Sequence, residues 1–443
     1  MGAGFELSQK ASGGLPLTAQ ILVSDVCNHA CQHCYQVHGQ KGEMSLGEIE
    51  GVLEELQHLG VLIVSFSGGE ATLRHDLPEI LRAARRRGFA IILQSNGYAL
   101  GDALVEVMAE VGVWRARISV YSDVAAEHDA VTRVPGSFAR TTGAIHRLVG
   151  RGIGVVMVVP LTRLCSAPAS RLEALAASLG CALEVESGIT AKEDGSLASL
   201  AVEPTREQLE GYLRAVAARA ARGEAVRGRE EKLGEAPCGA CSSSITVHAD
   251  GSVRPCTHIP LELGRRRATG EGDEAEAVGA AGIAAAAQGE AFQFLSQVSW
   301  ADLHGCRDCA LLSWCSRCHG SAAFESGDLL GPQPSACARA MIRYEVEVGP
   351  LERLPAVDAE AARRDAGVGP FEQVGEGGLR PARDVLTAED EARAQQFPWV
   401  RPSRARLKEM VGIIPAERLV RREPRGAAAM MYAPGERWRH EGR

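Results

Sequence analysis

Cys27-Asn28-His29-Ala30-Cys31-Gln32-His33-Cys34-Tyr35 follows closely on the apolar run Ile21-Leu22-Val23. Three cysteines at the spacing C-x3-C-x2-C, delivered by the end of a strand, bring three thiolates to one inorganic centre. A four-iron cluster takes four ligands and usually draws all of them from cysteine. The next cysteine is Cys165, so a cluster held here keeps one iron open for chemistry. Two of the thiolates also suit zinc, but zinc sites pair C-x2-C with a second pair or with histidine. Of His29, His33 and His38, only the last two have such a separation. A disulfide belongs to small secreted scaffolds, and this chain of 443 residues carries no secretory signal.

The strand that delivers the cysteines, Ala19 to Val23, begins a repeated pattern. Ser45 and Glu48 form a capping box, and Ile49, Val52, Leu53, Leu56 and Leu59 share one helical face that Gly60 ends. Val61 to Phe66 is the second strand; it empties into Ser67-Gly68-Gly69-Glu70, and a helix over Asp76 to Arg87 stops at Gly88. Further strands are expected at Phe89 to Leu93, Arg115 to Tyr121, Gly154 to Val159 and Ala182 to Val185. Helices are expected from Asp102, over Phe138 to Val149 with Ser137 as N-cap, and over Arg171 to Leu179. Apolar strands alternating with helices predict a parallel sheet covered by helices. Six such units with right-handed crossovers curl towards a barrel, whose chemistry lies at the C-terminal strand ends. The cysteine loop, the Gly-Gly-Glu loop, Ser95-Asn96 and Ser119 to Ser122 all fall at such ends.

A net charge of -8 gives no basic footprint for nucleic acid, and no apolar run approaches a membrane span. A cytoplasmic protein is expected. Its thirteen cysteines then argue for metal ligation; eight of them cluster between Cys238 and Cys337. Cys165 and Cys181 read as small core residues. The expected organisation is an arm over 1–18, the α/β partial (β/α)6 barrel over 19–204, and a bridging helix and linker over 205–236. A cysteine-rich domain over 237–345 and a C-terminal extension over 346–443, partly disordered, complete it. Arg265 to Glu290 is low-complexity, while Phe397 to Val400 and Leu407 to Ile414 could dock onto the body.

The cysteine trio followed by Tyr35, then Phe66-Ser67-Gly68-Gly69-Glu70, on a six-fold β/α pattern, resembles the radical S-adenosylmethionine (radical SAM) enzymes over about residues 19–200. The resemblance implies a [4Fe-4S] cluster on Cys27, Cys31 and Cys34 whose open iron binds S-adenosylmethionine. Reductive cleavage of that cofactor yields a 5′-deoxyadenosyl radical, which abstracts hydrogen from a substrate; the protein supplies binding and orientation. Gly68 and Gly69 would let backbone approach the methionine, and Glu70 would accept from its ammonium. Ser119 and Arg133 match residues that bind the methionine carboxylate, and Asn96 one that lines the cofactor site.

Cys238-x12-Gly251-x4-Cys256, then Cys306-x2-Cys309-x5-Cys315-x2-Cys318, then Cys337 resembles the SPASM domain, which carries auxiliary iron–sulfur clusters. Two auxiliary [4Fe-4S] clusters are implied. One falls to Cys238, Cys241, Cys256 and Cys318, the other to Cys306, Cys309, Cys315 and Cys337. The last gap of the middle group is x2 where the family often has x3, and Cys238 and Cys241 compete for the first position. A zinc ribbon from Cys306, Cys309, Cys315 and Cys318 is the bland alternative.

Enzymes of this kind mostly modify peptides or proteins, so the resemblance implies a maturase that cross-links, oxidises or epimerises a ribosomally made peptide. Formylglycine formation on a sulfatase and small-molecule cofactor biosynthesis are the alternatives within the class; a non-catalytic iron–sulfur or zinc protein is the alternative outside it. The implied partners are a peptide or protein substrate and a reductant such as flavodoxin or ferredoxin. About eighteen residues precede the first strand, too few for a winged-helix leader-binding module. Leader recognition is therefore expected from a separate protein, from the barrel and bridge, or from the last hundred residues. No side chain is singled out as acid, base or radical quencher.

Overall fold

Side chains of alternate residues in the first strand, Ile21 and Val23, are fully buried, and this strand is the axis on which the sheet is built. In a computed structural model, the described residues are 16–39, 42–220, 232–259, 261–265, 282–303, 306–307, 309–350, 371–374 and 378–381. Strands β1 (Thr18–Ser24), β2 (Ile63–Gly68), β3 (Ala90–Ser95), β4 (Arg115–Ser119), β5 (Val155–Pro160) and β6 (Ala182–Glu186) lie side by side in chain order, all parallel. The alternation of apolar strand and amphipathic helix thus gives the expected parallel α/β sheet. Its outer strands, β6 on one side and Gly264–Arg265 on the other, do not pair with each other, so the barrel is partial. β5 is buried at every position, whereas the edge strand β6 alternates exposed and half-buried positions.

The connecting helices are α1 (Leu46–His58), α2 (Leu77–Arg86), α3 (Asp102–Glu110), α4 (Ala125–Thr132), α5 (Ser137–Gly150) and α6 (Ala169–Ser178). α1 starts at the Ser45–Glu48 capping box and buries Ile49, Val52, Leu53 and Leu56, each worth about 1.5–3 kcal/mol of transfer free energy. α4 was not expected, because the residues it turns inward include His128 and Thr132, both fully buried, so no apolar period marks it. Ser137 is not the N-cap of α5 either. Gly136, at φ 79, holds that position, and the capping acceptor is Asp129 of the preceding helix. Its carboxylate accepts from Gly136 N–H at 2.6 Å, Phe138 N–H at 2.9 Å and Ser137 Oγ at 2.8 Å.

The described part divides into two units, residues 1–186 with 239–257 and 261–297, and residues 187–238 with 258–260 and 298–443. The cysteine-rich stretch after Pro237 therefore does not stand apart from the barrel as a block. Its strand β7 (Ser244–Val247) pairs parallel to β1, Thr18 opposite Ser244 and Ile21 opposite Val247, and β8 (Ser252–Arg254) and β9 (Gly264–Arg265) extend the sheet antiparallel. The second unit is built on α7 (Arg206–Ala220), α8 (His319–Ser326) and α9 (Pro334–Glu347). Arg206 pairs with Glu345, Arg339 with Glu203 at 3.2 Å, and Trp314 packs edge-on to Tyr344 at 4.9 Å.

Residues 1–15 of the expected arm, residues 221–231 of the expected bridge and linker, most of the low-complexity stretch and the two C-terminal docking segments lie outside the described residues. No helix among the described residues is long and apolar enough to cross a membrane.

Candidate active site

The ends of β1 and β2 approach each other more closely than side chains allow. Gly69 N–H donates to Ser24 O and Glu70 N–H to Val26 O, each at 2.8 Å. A Cβ on Gly68 would stand 2.4 Å from Ser24 O, and one on Gly69 2.3 Å from Val26 O. Both glycines are thus demanded by the strand ends themselves, which seat the cysteine loop directly on the Gly-Gly-Glu loop.

Glu70 ties the next strand to this pair. Its carboxylate is buried; Oε1 accepts from Thr72 N–H at 3.0 Å, Thr72 Oγ1 at 2.6 Å and Ser95 Oγ at 2.7 Å, and Oε2 accepts from Asn96 N–H at 2.7 Å. Asn96 in turn donates from Nδ2 to Asn28 Oδ1 inside the cysteine loop at 2.8 Å. Three consecutive strand ends are wired through one charge-assisted acceptor. Glu70→Gln places an amide NH2 against an existing donor in either rotamer, at a cost of about 1–3 kcal/mol. We expect thermal unfolding of this variant to show a melting temperature lower by about 2–12 °C.

From its other side the cysteine loop rests on α4. Ala30 N–H donates to Thr132 O at 3.2 Å, Gln32 N–H to Val131 O at 3.3 Å, and Gln32 Nε2 to Ala130 O at 3.2 Å. The last carbonyls of a helix have no partner within it, and Arg133, in the left-handed region at φ 60, ends α4 so that these stay available.

Ser119 closes β4, and Tyr121, two residues on, reaches the loop. The Tyr121 hydroxyl is hydrogen-bonded to Ser119 and lies 3.8 Å from Cys31 Sγ. Its ring packs on His33 at 4.9 Å and His128 at 5.2 Å. Tyr121, Asn28 and His38, whose Nε2 lies 3.5 Å from Cys34 Sγ, are site residues that motif reading missed; the i, i+2 alternation from Ser119 was the signal for Tyr121. Gly68, Gly69, Glu70, Asn96 and Ser119 are brought to the rim of the cysteine loop. Arg133 is exposed and makes no hydrogen bond or ion pair with another described residue.

The donor set fits a cluster. Burial, with the neighbouring thiols adding to it, pushes Cys27 up to about 11 and Cys31 up to about 12. Bare Cys27 and Cys31 thiols stay protonated at pH 7, and bound iron would supply the positive charge that makes them ligands. Burial also holds His33 and His128 down at about 4, so both are neutral at pH 7.

In the second unit Cys306, Cys309, Cys315 and Cys337 line one small apolar cavity with Trp300, Leu311, Leu312 and Ala340. Burial drives Cys306, Cys315 and Cys337 upward, and Cys337 also feels the other three. Of the remaining cysteines, Cys241 and Cys256 fall in the first unit, Cys238 and Cys318 in the second. Cys241 is fully buried at φ 61, a backbone conformation that costs a non-glycine residue about 1–3 kcal/mol.

Residues 21–163 match the Radical SAM superfamily. The chain is 31% identical over 144 residues to an AdoMet-dependent heme synthase of Nitratidesulfovibrio vulgaris, covering 32% of this chain and 39% of that protein. It is 29% identical over 212 residues to the PqqA peptide cyclase of Gluconobacter oxydans, covering 47% of this chain and 59% of that protein. The chain thus spans less than two thirds of either relative. Among solved structures, that of native anSMEcpe with bound AdoMet superposes with a TM-score of 0.55 at 16% identity, covering 79% of this chain and 100% of that one; this likeness establishes the shared fold.

Proposed function

We propose, from the premise that residues 21–163 form a radical SAM domain, that the chain is an enzyme that modifies a peptide by hydrogen abstraction. The observation that carries the reading is the direct seating of the Cys27–Cys34 loop on Gly68–Glu70 through Gly69 N–H and Glu70 N–H. Cys27, Cys31 and Cys34 are the cluster ligands in this reading. A bound [4Fe-4S] cluster with S-adenosylmethionine would supply a 5′-deoxyadenosyl radical. The chain's own part is to hold and orient. Glu70 Oε2 accepts from Asn96 N–H alone among the described residues, leaving a lone pair for an ammonium. Ser119 and Asn96 stand at neighbouring strand ends as polar contacts for the cofactor, and Arg133 is the proposed cation for its carboxylate.

A peptide substrate is favoured by the PqqA peptide cyclase, whose match runs over more of this chain than that of the heme synthase. It is favoured also by the four cysteines gathered around one cavity in the second unit, the arrangement expected of a SPASM-type auxiliary cluster. About eight irons per chain would follow from the trio and this cluster. In Cys337→Ala we expect about four, with 5′-deoxyadenosine still formed by uncoupled cleavage; iron assay and chromatography check both.

The test is anaerobic incubation of the reconstituted protein with S-adenosylmethionine, dithionite and short peptides encoded beside its gene, followed by mass spectrometry. A peptide mass change of a few hydrogens supports the reading. Peptides unchanged while a porphyrin substrate is consumed would replace it with the heme-synthase reading. A separate leader-binding protein and a flavodoxin or ferredoxin reductant are proposed partners in the cytoplasm.

A further inference from the structure

Each thiol of the cysteine trio has a polar hydrogen-bonding group against its sulfur. Cys27 Sγ accepts from His29 N–H at 3.4 Å, Cys31 Sγ lies 3.8 Å from Tyr121 Oη, and Cys34 Sγ lies 3.5 Å from His38 Nε2. The first is backbone, which any residue would supply. The other two are side chains from outside the C-x3-C-x2-C motif, one of them 90 positions away in sequence. The geometry points to Tyr121 and His38 as positioning residues that donate to the cluster thiolates and set the cluster's reduction potential.

This rests on the trio holding an iron–sulfur cluster, which reverses the donor roles at the sulfurs. A free thiol offers its own proton, so Cys31 donates to the Tyr121 oxygen. An iron-bound thiolate has no proton and only accepts, so the hydroxyl and the imidazole N–H become the donors. Tyr121 is suited to that role: the residue is buried and its hydroxyl lies against Cys31 Sγ at 3.8 Å. Adding an electron to the cluster increases the negative charge on its sulfurs, so donors stabilise the reduced form more and raise the potential. The effect is larger where water is excluded. Tyr121 is 4% exposed and His38 is partly exposed, so the tyrosine should have the greater influence.

The test is a redox titration followed by electron paramagnetic resonance on full-length reconstituted protein, with iron content measured alongside. The trio's signal is identified as the one missing from Cys31→Ala. Tyr121→Phe keeps the ring and its packing on His33 and His128, and removes only the hydroxyl. We expect it to lower the ratio of reduced to oxidised cluster about tenfold at fixed poise, equivalent to about 59 mV for one electron. His38→Ala should shift the ratio in the same direction by less. Partial loss of iron does not obscure the result, because the signal reports only loaded molecules. Midpoints equal to wild type in both variants overturn the inference while leaving the cluster reading intact. A wild-type protein with no trio signal overturns both.

Discussion

Cys31→Ala lowers iron content by about four per chain and abolishes 5′-deoxyadenosine formation, while the far-UV circular dichroism spectrum stays that of wild type. The expectation follows from how little Cys31 does for the fold. It is half-buried, and its polar neighbour is the Tyr121 hydroxyl at 3.8 Å. Ala30 and Gln32 on either side of it are held by backbone bonds to α4, which the substitution leaves in place. In the proposed reading the sulfur is a cluster ligand, and its removal would leave only two thiolates to hold the iron. Cys181→Ala is the matched control. That cysteine is also half-buried, with its thiol directed at Ala176 O at 3.5 Å, and its loss should leave iron and activity unchanged. Iron assay and anaerobic chromatography read both outcomes.

Gly69→Ala is expected to be nearly as damaging without touching a ligand. The added methyl would lie 2.3 Å from Val26 O, 2.6 Å from Val26 C and 3.1 Å from Cys27 N. All three are backbone atoms that cannot rotate away, so β1 and β2 must part at their ends and the Glu70 N–H bond to Val26 O must lengthen. Overpacking of this kind costs about 1–3 kcal/mol, short of the 5–15 kcal/mol that holds an average domain together. The chain should still fold, with a lower melting temperature and the first residue of the cysteine loop displaced. The measurable result is loss of most of the trio's iron in a folded protein. Gly47→Ala sits on the exposed face of α1 with nothing within 4 Å of its Cβ position. It should gain up to about 1 kcal/mol from reduced chain entropy and keep its iron, which isolates the close approach as the cause.

Much of this site could be read from the chain because its parts are local. Cys27, Cys31 and Cys34 lie within one loop, and Gly68 to Glu70 within one strand end, and the apolar runs that precede each are unbroken. α1 was legible for the same reason: Ser45 and Glu48 cap it, and Ile49, Val52, Leu53 and Leu56 line one face. What stayed hidden depends on contacts between distant segments or on polar interiors. α4 turns His128 and Thr132 inward and shows no apolar stripe, yet its carbonyls support the cysteine loop. β7 pairs with β1 across more than two hundred residues, and nothing near Ser244 announces that partner. The fourth-strand serine was visible at a strand end, whereas Tyr121 acquires meaning only once the sheet brings β4 beside the cysteines. The role of Glu70 changed most. The sequence offers it as a lone acceptor, and the fold occupies three of its bonds on one oxygen and one on the other, making it the joint between three strand ends as well as a candidate contact for the cofactor.

The central claim is that Cys27, Cys31 and Cys34 hold a cluster that binds and cleaves S-adenosylmethionine. Its most direct test is the yield of 5′-deoxyadenosine from anaerobically reconstituted protein incubated with S-adenosylmethionine and dithionite, compared with Cys31→Ala treated identically. The account predicts product from the wild type and none from the variant. Equal yields from the two, or no product from wild-type protein carrying its full complement of iron, would contradict it.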